Sequence, residues 1–193
     1  MAKSSAKKTA SSKAPAKKTF VNGKAAGPFT ANTDVTLQDF FVSSLKDTYW
    51  AENHLVAAIP KMIAAAGSAD LKNALTDHLA VTKTHATRLE QAFELLGEKI
   101  IAKKCDAIEG LTMSGEHVID NTVMGSPVRD TGIIMSGLKV ENFEITTYTG
   151  LIQVANKLDK TDVAELLQQN LDEEIAASDL LTELSESVDF DNR

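Results

Sequence analysis

Apolar residues recur along this chain at alternating steps of three and four, in four separate runs. The first starts after Thr36, with Leu37, Phe40, Phe41, Leu45, Leu55, Ile59 and Met62 on one side, and stops at Gly67. Ser68 offers an N-cap for the second, whose inward line is Leu71, Leu75, His78, Thr82, His85, Leu89, Phe93 and Leu96 before Gly97. Ser126-Pro127, a capping serine with proline at the first helical position, opens the third, with Ile134, Gly137, Glu141, Glu144, Tyr148, Leu151 and Ala155 inward. Thr161 caps the fourth, with Val163, Leu167, Asn170, Glu174, Ala177 or Ser178, Leu181 and Leu184. The pattern predicts helices near residues 36–66, 68–97, 127–158 and 161–188. Tight turns at Gly67 and Asp159-Lys160 join them in pairs, and residues 98–125 form a long crossover with at most a short helix from Asp106 to Asp120. The expected fold is all-α, a ferritin-like antiparallel four-helix bundle with one long crossover.

Each run turns polar near its middle. Glu52 lies seven residues from both Leu45 and Ile59, on the same inward line. Reflecting the first helix onto the second through the turn at Gly67 sets Glu52 level with Thr82, between His78 and His85. The same reflection through about residue 159 sets Glu144 level with Glu174 and Glu141 level with Ser178. Glu52, His78, His85, Glu141, Glu144 and Glu174 therefore share one layer. Burying several ionised carboxylates together is costly unless a cation neutralises them, and no Lys or Arg lies on these lines at that height. Oxygen and nitrogen donors of this mixture suit iron or manganese. The competing reading is a hydrated polar network or a core of protonated carboxyls. Tyr49 and Tyr148 read as packing aromatics with wet hydroxyls, Cys105 as an inert half-buried thiol, and Asn53-His54 as outward-facing.

Composition agrees with a helical bundle: 43% of residues are hydrophobic but only 5% aromatic, with four prolines in 193 residues. A single cysteine cannot form an intrachain disulfide, which leaves a reducing cytoplasm as the expected compartment. The most apolar stretch, Leu55 to Ala66, is broken by Pro60 and Lys61 and falls short of the ~20 apolar residues a membrane span needs. Nor does the N-terminus contain the apolar run of a secretory signal. Charge is unevenly spread. Residues 1–33 carry seven lysines and no acid, leaving 13 basic against 27 acidic residues in the rest. This gives residues 1–35 as a disordered basic tail, 36–188 as the bundle and 189–193 as a short C-terminal tail. Lys3, Lys7, Lys8, Lys13, Lys17, Lys18 and Lys24 suit non-specific contact with nucleic acid, the alternative being a solubilising extension.

Several stretches resemble the YciE/YciF group of bacterial ferritin-like proteins. They are Leu45-Lys46-Asp47-Thr48-Tyr49-Trp50-Ala51-Glu52, His78 with Thr82 and His85 before Arg88-Leu89-Glu90, and Lys104-Cys105-Asp106-Ala107-Ile108-Glu109-Gly110-Leu111. Val140 to Tyr148 and Leu171 to Leu181 also match, so the resemblance spans about residues 36–188. It implies a ferritin-like fold, an association with stress responses, a ferroxidase and a homodimer. It also implies a metal layer kept at Glu52, His78, His85, Glu141, Glu144 and Glu174. Glu52 and Glu174 would be terminal carboxylates, Glu144 and Glu141 bridging ones, and His78 or His85 nitrogen ligands. The chain departs from that pattern at Val81, Asn142 and Ser178, where the group has Glu, His and Asp. Two irons, one iron, manganese in its place, or no metal all remain compatible with the residues present.

Overall fold

Thr36 and Asp39 open α1 (Leu37–Ala65) by reciprocal capping, the Thr36 hydroxyl accepting from the Asp39 N–H at 3.1 Å and the Asp39 carboxylate from the Thr36 N–H at 3.0 Å. The structure, a computed structural model, describes residues 34–190, and every regular element among them is helical. Ser68 caps α2 (Ala69–Leu96), which ends at Gly97 in the left-handed conformation. Within the crossover lies α3 (Asp106–Asp120), followed by α4 (Pro127–Lys157), capped by Ser126, and α5 (Thr161–Ser187). The N-cap of α5 is Lys160 rather than Thr161, and no side chain bonds to it. Only Leu158, Asp159 and Lys160 separate the two helices, and the Lys160 N–H still bonds back to the Ala155 carbonyl, so Thr161 is already the first helical residue.

The helix α1 packs on α2, α2 on α5, α5 on α4 and α4 on α1, while α3 lies against both α1 and α4. The antiparallel bundle is thus present, with α3 laid along part of the α1–α4 seam. Leu37 and Phe40 depart from the predicted inward line: they are 44% and 56% exposed. Phe40 and Phe41 are neighbours about 100° apart around the helix, so only Phe41 faces the core, and Leu37 sits in the opening turn beyond it.

Two apolar clusters fill the interior. One contains Phe41, Leu45, Leu89, Phe93, Leu151 and Leu167; the other contains Leu55, Leu71, Leu75, Ile108, Ile134 and Leu181. Between them, every long helix passes through the polar layer: Glu52 follows Leu45 on α1, His78 to His85 separate Leu75 from Leu89 on α2, Glu141 and Glu144 precede Leu151 on α4, and Glu174 lies between Leu167 and Leu181 on α5.

One end of the bundle is tied at the start of α4. The Asp130 carboxylate accepts the Gly67 and Ser68 N–H groups at 2.6 and 2.8 Å, fixing the α1–α2 turn. Gly67 has no room for a side chain, since a Cβ there would stand 3.0 Å from the Gly125 Cα. Arg129, next in sequence to Asp130, donates to the Ile119 carbonyl at 2.6 Å and also to Thr122, closing the C-terminal end of α3. No helix among the described residues is long and apolar enough to cross a membrane. The predicted basic tail, with Lys3 through Lys24, lies outside the described residues, as do residues 191–193.

Candidate metal centre

The six residues singled out from the sequence meet at mid-bundle. Glu52, His85 and Glu174 are fully buried, Glu141 and Glu144 nearly so, and His78 is partly exposed. The ligand atoms fall into two groups, Glu52 with His85 and Glu174, and His78 with Glu141 and Glu174, each within 4.8 Å of one another. Glu174 belongs to both. Its Oε1 lies 2.8 Å from His85 Nδ1 and its Oε2 lies 3.9 Å from His78 Nε2, while Glu52 Oε1 is 3.6 Å from His85 Nδ1 and Glu141 Oε1 is 3.4 Å from His78 Nε2. Glu144 joins neither group, though it lies near enough to Glu52 and Glu174 for their charges to act on it.

His85 Nδ1 pairs with Glu174 Oε1, and the other approaches are longer. Both oxygens of Glu144, Oε2 of Glu174, and one oxygen each of Glu52 and Glu141 are buried with no hydrogen-bond partner. Buried polar atoms are ordinarily satisfied, so a layer with this many open carboxyl oxygens has the donors to hold a metal ion. Two ligand atoms ~2.1 Å from one ion and at right angles are ~3 Å apart. The spacings in the layer bracket that value, so the donor set and its geometry could hold a metal ion. The same residues also define what the layer does without one. Burial pushes the Glu52, Glu141 and Glu144 carboxyls up, the last two well up, with neighbouring carboxylates adding to the rise. Burial likewise opposes charge on His85, but the Glu174 and Glu52 carboxylates outweigh it and hold the imidazole at about 10. Glu174, despite its burial, is held low by His85. His85 and Glu174 thus form an ion pair, while burial disfavours charge on the neighbouring Glu52, Glu141 and Glu144 carboxyls.

Four supporting residues were not assigned to the layer from the sequence. Glu173, next to Glu174, accepts from His85 Nε2 at 2.8 Å and is itself gripped by both terminal nitrogens of Arg88, at 2.6 and 2.9 Å. That partner keeps a proton on Nε2, so that Nδ1, which faces Glu52 and Glu174, is the nitrogen that can lose its proton. Tyr148, expected to have a wet hydroxyl, is fully buried: it donates to Glu52 and accepts from Asn170 Nδ2 at 3.0 Å. Its inward line was legible in the spacing, but its partner was not, because the hydroxyl reaches across to α1. Tyr49 donates to Glu90 at 2.7 Å instead of to water alone. His54 does not face outward either. It stacks on Trp50 and sits 2.8 Å from the Thr112 hydroxyl of α3, the helix that covers that face of α1. Asn53 is exposed, as expected, and Cys105 is half-buried.

The three departures from the resembled pattern have different consequences. Asn142 is exposed on the outer face of α4, with its amide bonded to the Leu138 carbonyl, and contributes nothing to the layer. Val81 lines an apolar cavity of about 220 Å³ beside His78 and Glu141. Ser178 is half-buried and holds no charge.

Residues 36–189 match a family described as a domain of unknown function, DUF892. Protein YciF of Escherichia coli K12 is 36% identical over 151 residues, covering 78% of this chain and 90% of that protein. The crystal structure of YciF, described as an E. coli stress protein, superposes with a TM-score of 0.77 at 34% identity, covering 82% of this chain and 99% of that one. YcfI of Rhodopseudomonas palustris, described as a candidate structural protein, superposes with a TM-score of 0.74 at 35% identity, covering 80% and 98%.

Proposed function

The chain belongs to the DUF892 family, and from the chemistry at its centre we propose that it is a stress-associated protein that binds iron, or manganese in its place, in the mid-bundle layer. The observation that carries this reading is Glu174, whose two oxygens face two separate groups of ligand atoms. A carboxylate so placed suits a bridge between two ions, with Glu52 and His85 completing one position and His78 and Glu141 the other. Glu144 supplies further negative charge on the Glu52 side. The sequence suggests Glu144 and Glu141 as bridges and Glu174 as a terminal carboxylate; the distances favour Glu174 as the bridge. Bound in such a carboxylate-rich layer, Fe(II) would be open to oxidation by dioxygen or peroxide, because carboxylates stabilise Fe(III). The stress association is that of the E. coli relative, whose crystal structure is described as that of a stress protein.

The residues of the chain each have a task in this reading. Tyr148 and Asn170 orient Glu52, Glu173 and Arg88 orient His85, and the apolar clusters above and below exclude bulk water. Anaerobic Fe(II) titration of the purified protein tests it. Saturable binding is expected, halved in stoichiometry by Glu52→Ala and abolished or reduced to one weak site by Glu174→Ala. A parent protein that binds neither Fe(II) nor Mn(II) overturns the proposal.

A second reading concerns the tail. Seven lysines without one acid in residues 1–33 favour weak, sequence-indifferent contact with nucleic acid, a property that can coexist with metal binding.

A further inference from the structure

A metal layer at the centre of a bundle needs a way in, and three cavities have layer residues in their walls. The one beside His78 and Glu141 is bounded mainly by apolar side chains such as Leu75, Val81, Ala177 and Leu180, against which a cation would shed its water at high cost. A second, walled by Leu55, Ile59 and Leu111, lies beneath α3. The third, about 180 Å³, occupies the α1–α4 seam next to Cys105, where α3 begins. Its walls include the hydroxyls of Ser44, Thr48 and Thr147, the Cys105 thiol, and the carboxylates of Asp47 and Glu144.

The two carboxyl groups have buried oxygens with no hydrogen-bond partner. Glu144 is 2% exposed and both its oxygens lack a hydrogen-bond partner. Asp47 Oδ1 is also buried and unpartnered, while its Oδ2 accepts from Lys103 Nζ at 3.1 Å. Lys103 is pinned by its backbone N–H to the Lys46 carbonyl at 3.0 Å, but its side chain is 56% exposed and reaches Asp47 and Ser43 from the surface. One cavity therefore joins an acidic residue that a surface ammonium already neutralises to a buried carboxylate of the layer.

Resting on the reading of the layer as a metal centre, we propose that the α1–α4 seam beside Cys105 is the route by which a divalent cation reaches it. Asp47 is the outer ligand along this route, Glu144 the inner one, and Lys103 a cationic latch over Asp47. The arriving ion takes the place of the Lys103 ammonium, which swings into solvent without disturbing the backbone bond to Lys46. Glu144 then receives the ion on the side of the layer where Glu52 lies. The latch places a compensating charge beside Asp47 at the mouth of the cavity at rest.

The test uses Co(II) alone, mixed rapidly with the full-length metal-free protein and followed by its visible absorbance, with equilibrium titrations and melting curves on the same samples. Asp47→Asn is expected to slow the association about 3–10-fold and Lys103→Gln to speed it by a similar factor. Both should keep the parent's stoichiometry and melting temperature, and added salt should narrow the differences. Asp77→Asn, at the apolar cavity, should leave the rate unchanged. Parent-like rates in both seam variants, or a slowed rate in Asp77→Asn alone, overturn the route while leaving the metal centre standing. A parent that binds no Co(II), Fe(II) or Mn(II) at equilibrium overturns the metal centre and the route together.

Discussion

Glu173 and Glu174, neighbours on α5, hold opposite edges of one imidazole: the first lies 2.8 Å from His85 Nε2 and the second 2.8 Å from His85 Nδ1. The helical turn of 100° per residue normally sends adjacent side chains to different surroundings, and here Glu174 points into the layer while Glu173 remains 37% exposed with Arg88. Glu173 thereby orients the ring without belonging to either ligand group. Glu173→Ala is expected to weaken Fe(II) or Mn(II) binding about 10–100-fold, as loss of a ligand's supporting partner does elsewhere. Isothermal titration measures this, and unchanged affinity would remove Glu173 from that role.

Protons and metal compete for the same atoms. Without metal His85 is held at about 10 and so is protonated at neutral pH, and the Glu52, Glu141 and Glu144 carboxyls are raised, so binding at His85 must displace a proton. Affinity for Mn(II) should rise with pH, with proton release visible as a buffer-dependent binding enthalpy. Stability of the metal-free protein should move the other way. The His85 contribution is full below 6.5 and disappears as pH climbs through about 10, and the raised carboxyls oppose folding increasingly above 4.5. His78, held low by burial, works the other way but only up to about its ordinary 6.5, so the melting temperature with a chelator should fall from pH 7 to pH 9, and saturating Mn(II) should reverse that fall. A metal-free melting temperature that rises across this interval would contradict the charge assignment.

Asp130→Ala removes the acceptor of two backbone N–H groups at the α1–α2 turn. The expected cost is about 2–4 kcal/mol, because both bonds are charge-assisted and the turn amides lose their partner. Thermal or urea unfolding measures it. Metal stoichiometry should stay at the parent value, since Asp130 lies at the end of the bundle and not in the layer.

The tail reading predicts DNA binding that is weak and steeply salt-dependent. Seven lysines give a log–log slope of at most about −6 on duplex DNA, and the acidic remainder of the chain opposes the attraction. Deleting residues 1–33 should abolish retardation in a low-salt gel while leaving the melting temperature and metal binding nearly unchanged. Equal DNA binding with and without the tail, or none by either protein, would reduce it to a solubilising extension.

Much of this architecture is legible in the sequence because its signals are local. Thr36, Ser68 and Ser126 cap the helices they precede, and Glu52, His78, His85, Glu141 and Glu174 come together in two groups with Glu144 near them. Periodicity places a residue on a face but does not aim its side chain. Tyr148 was therefore visible as an inward aromatic, whereas its donation to Glu52 on another helix was not. Arg88 and Glu173 escaped for a related reason: long side chains at the edge of a stripe reach inward groups from outside it. Lys160 displaced Thr161 as a cap because turn length, not residue preference, decided where α5 begins.

The polar layer also bears on cooperativity. Each long helix has one segment in the first apolar cluster and another in the second, so neither half of the interior can open without bending helices that continue into the other. A cation at the junction would tie all four helices at the level where their apolar contacts are interrupted. Its loss should therefore register in slowly exchanging backbone amides toward both ends of the bundle, and not only in those flanking Glu52 and His85.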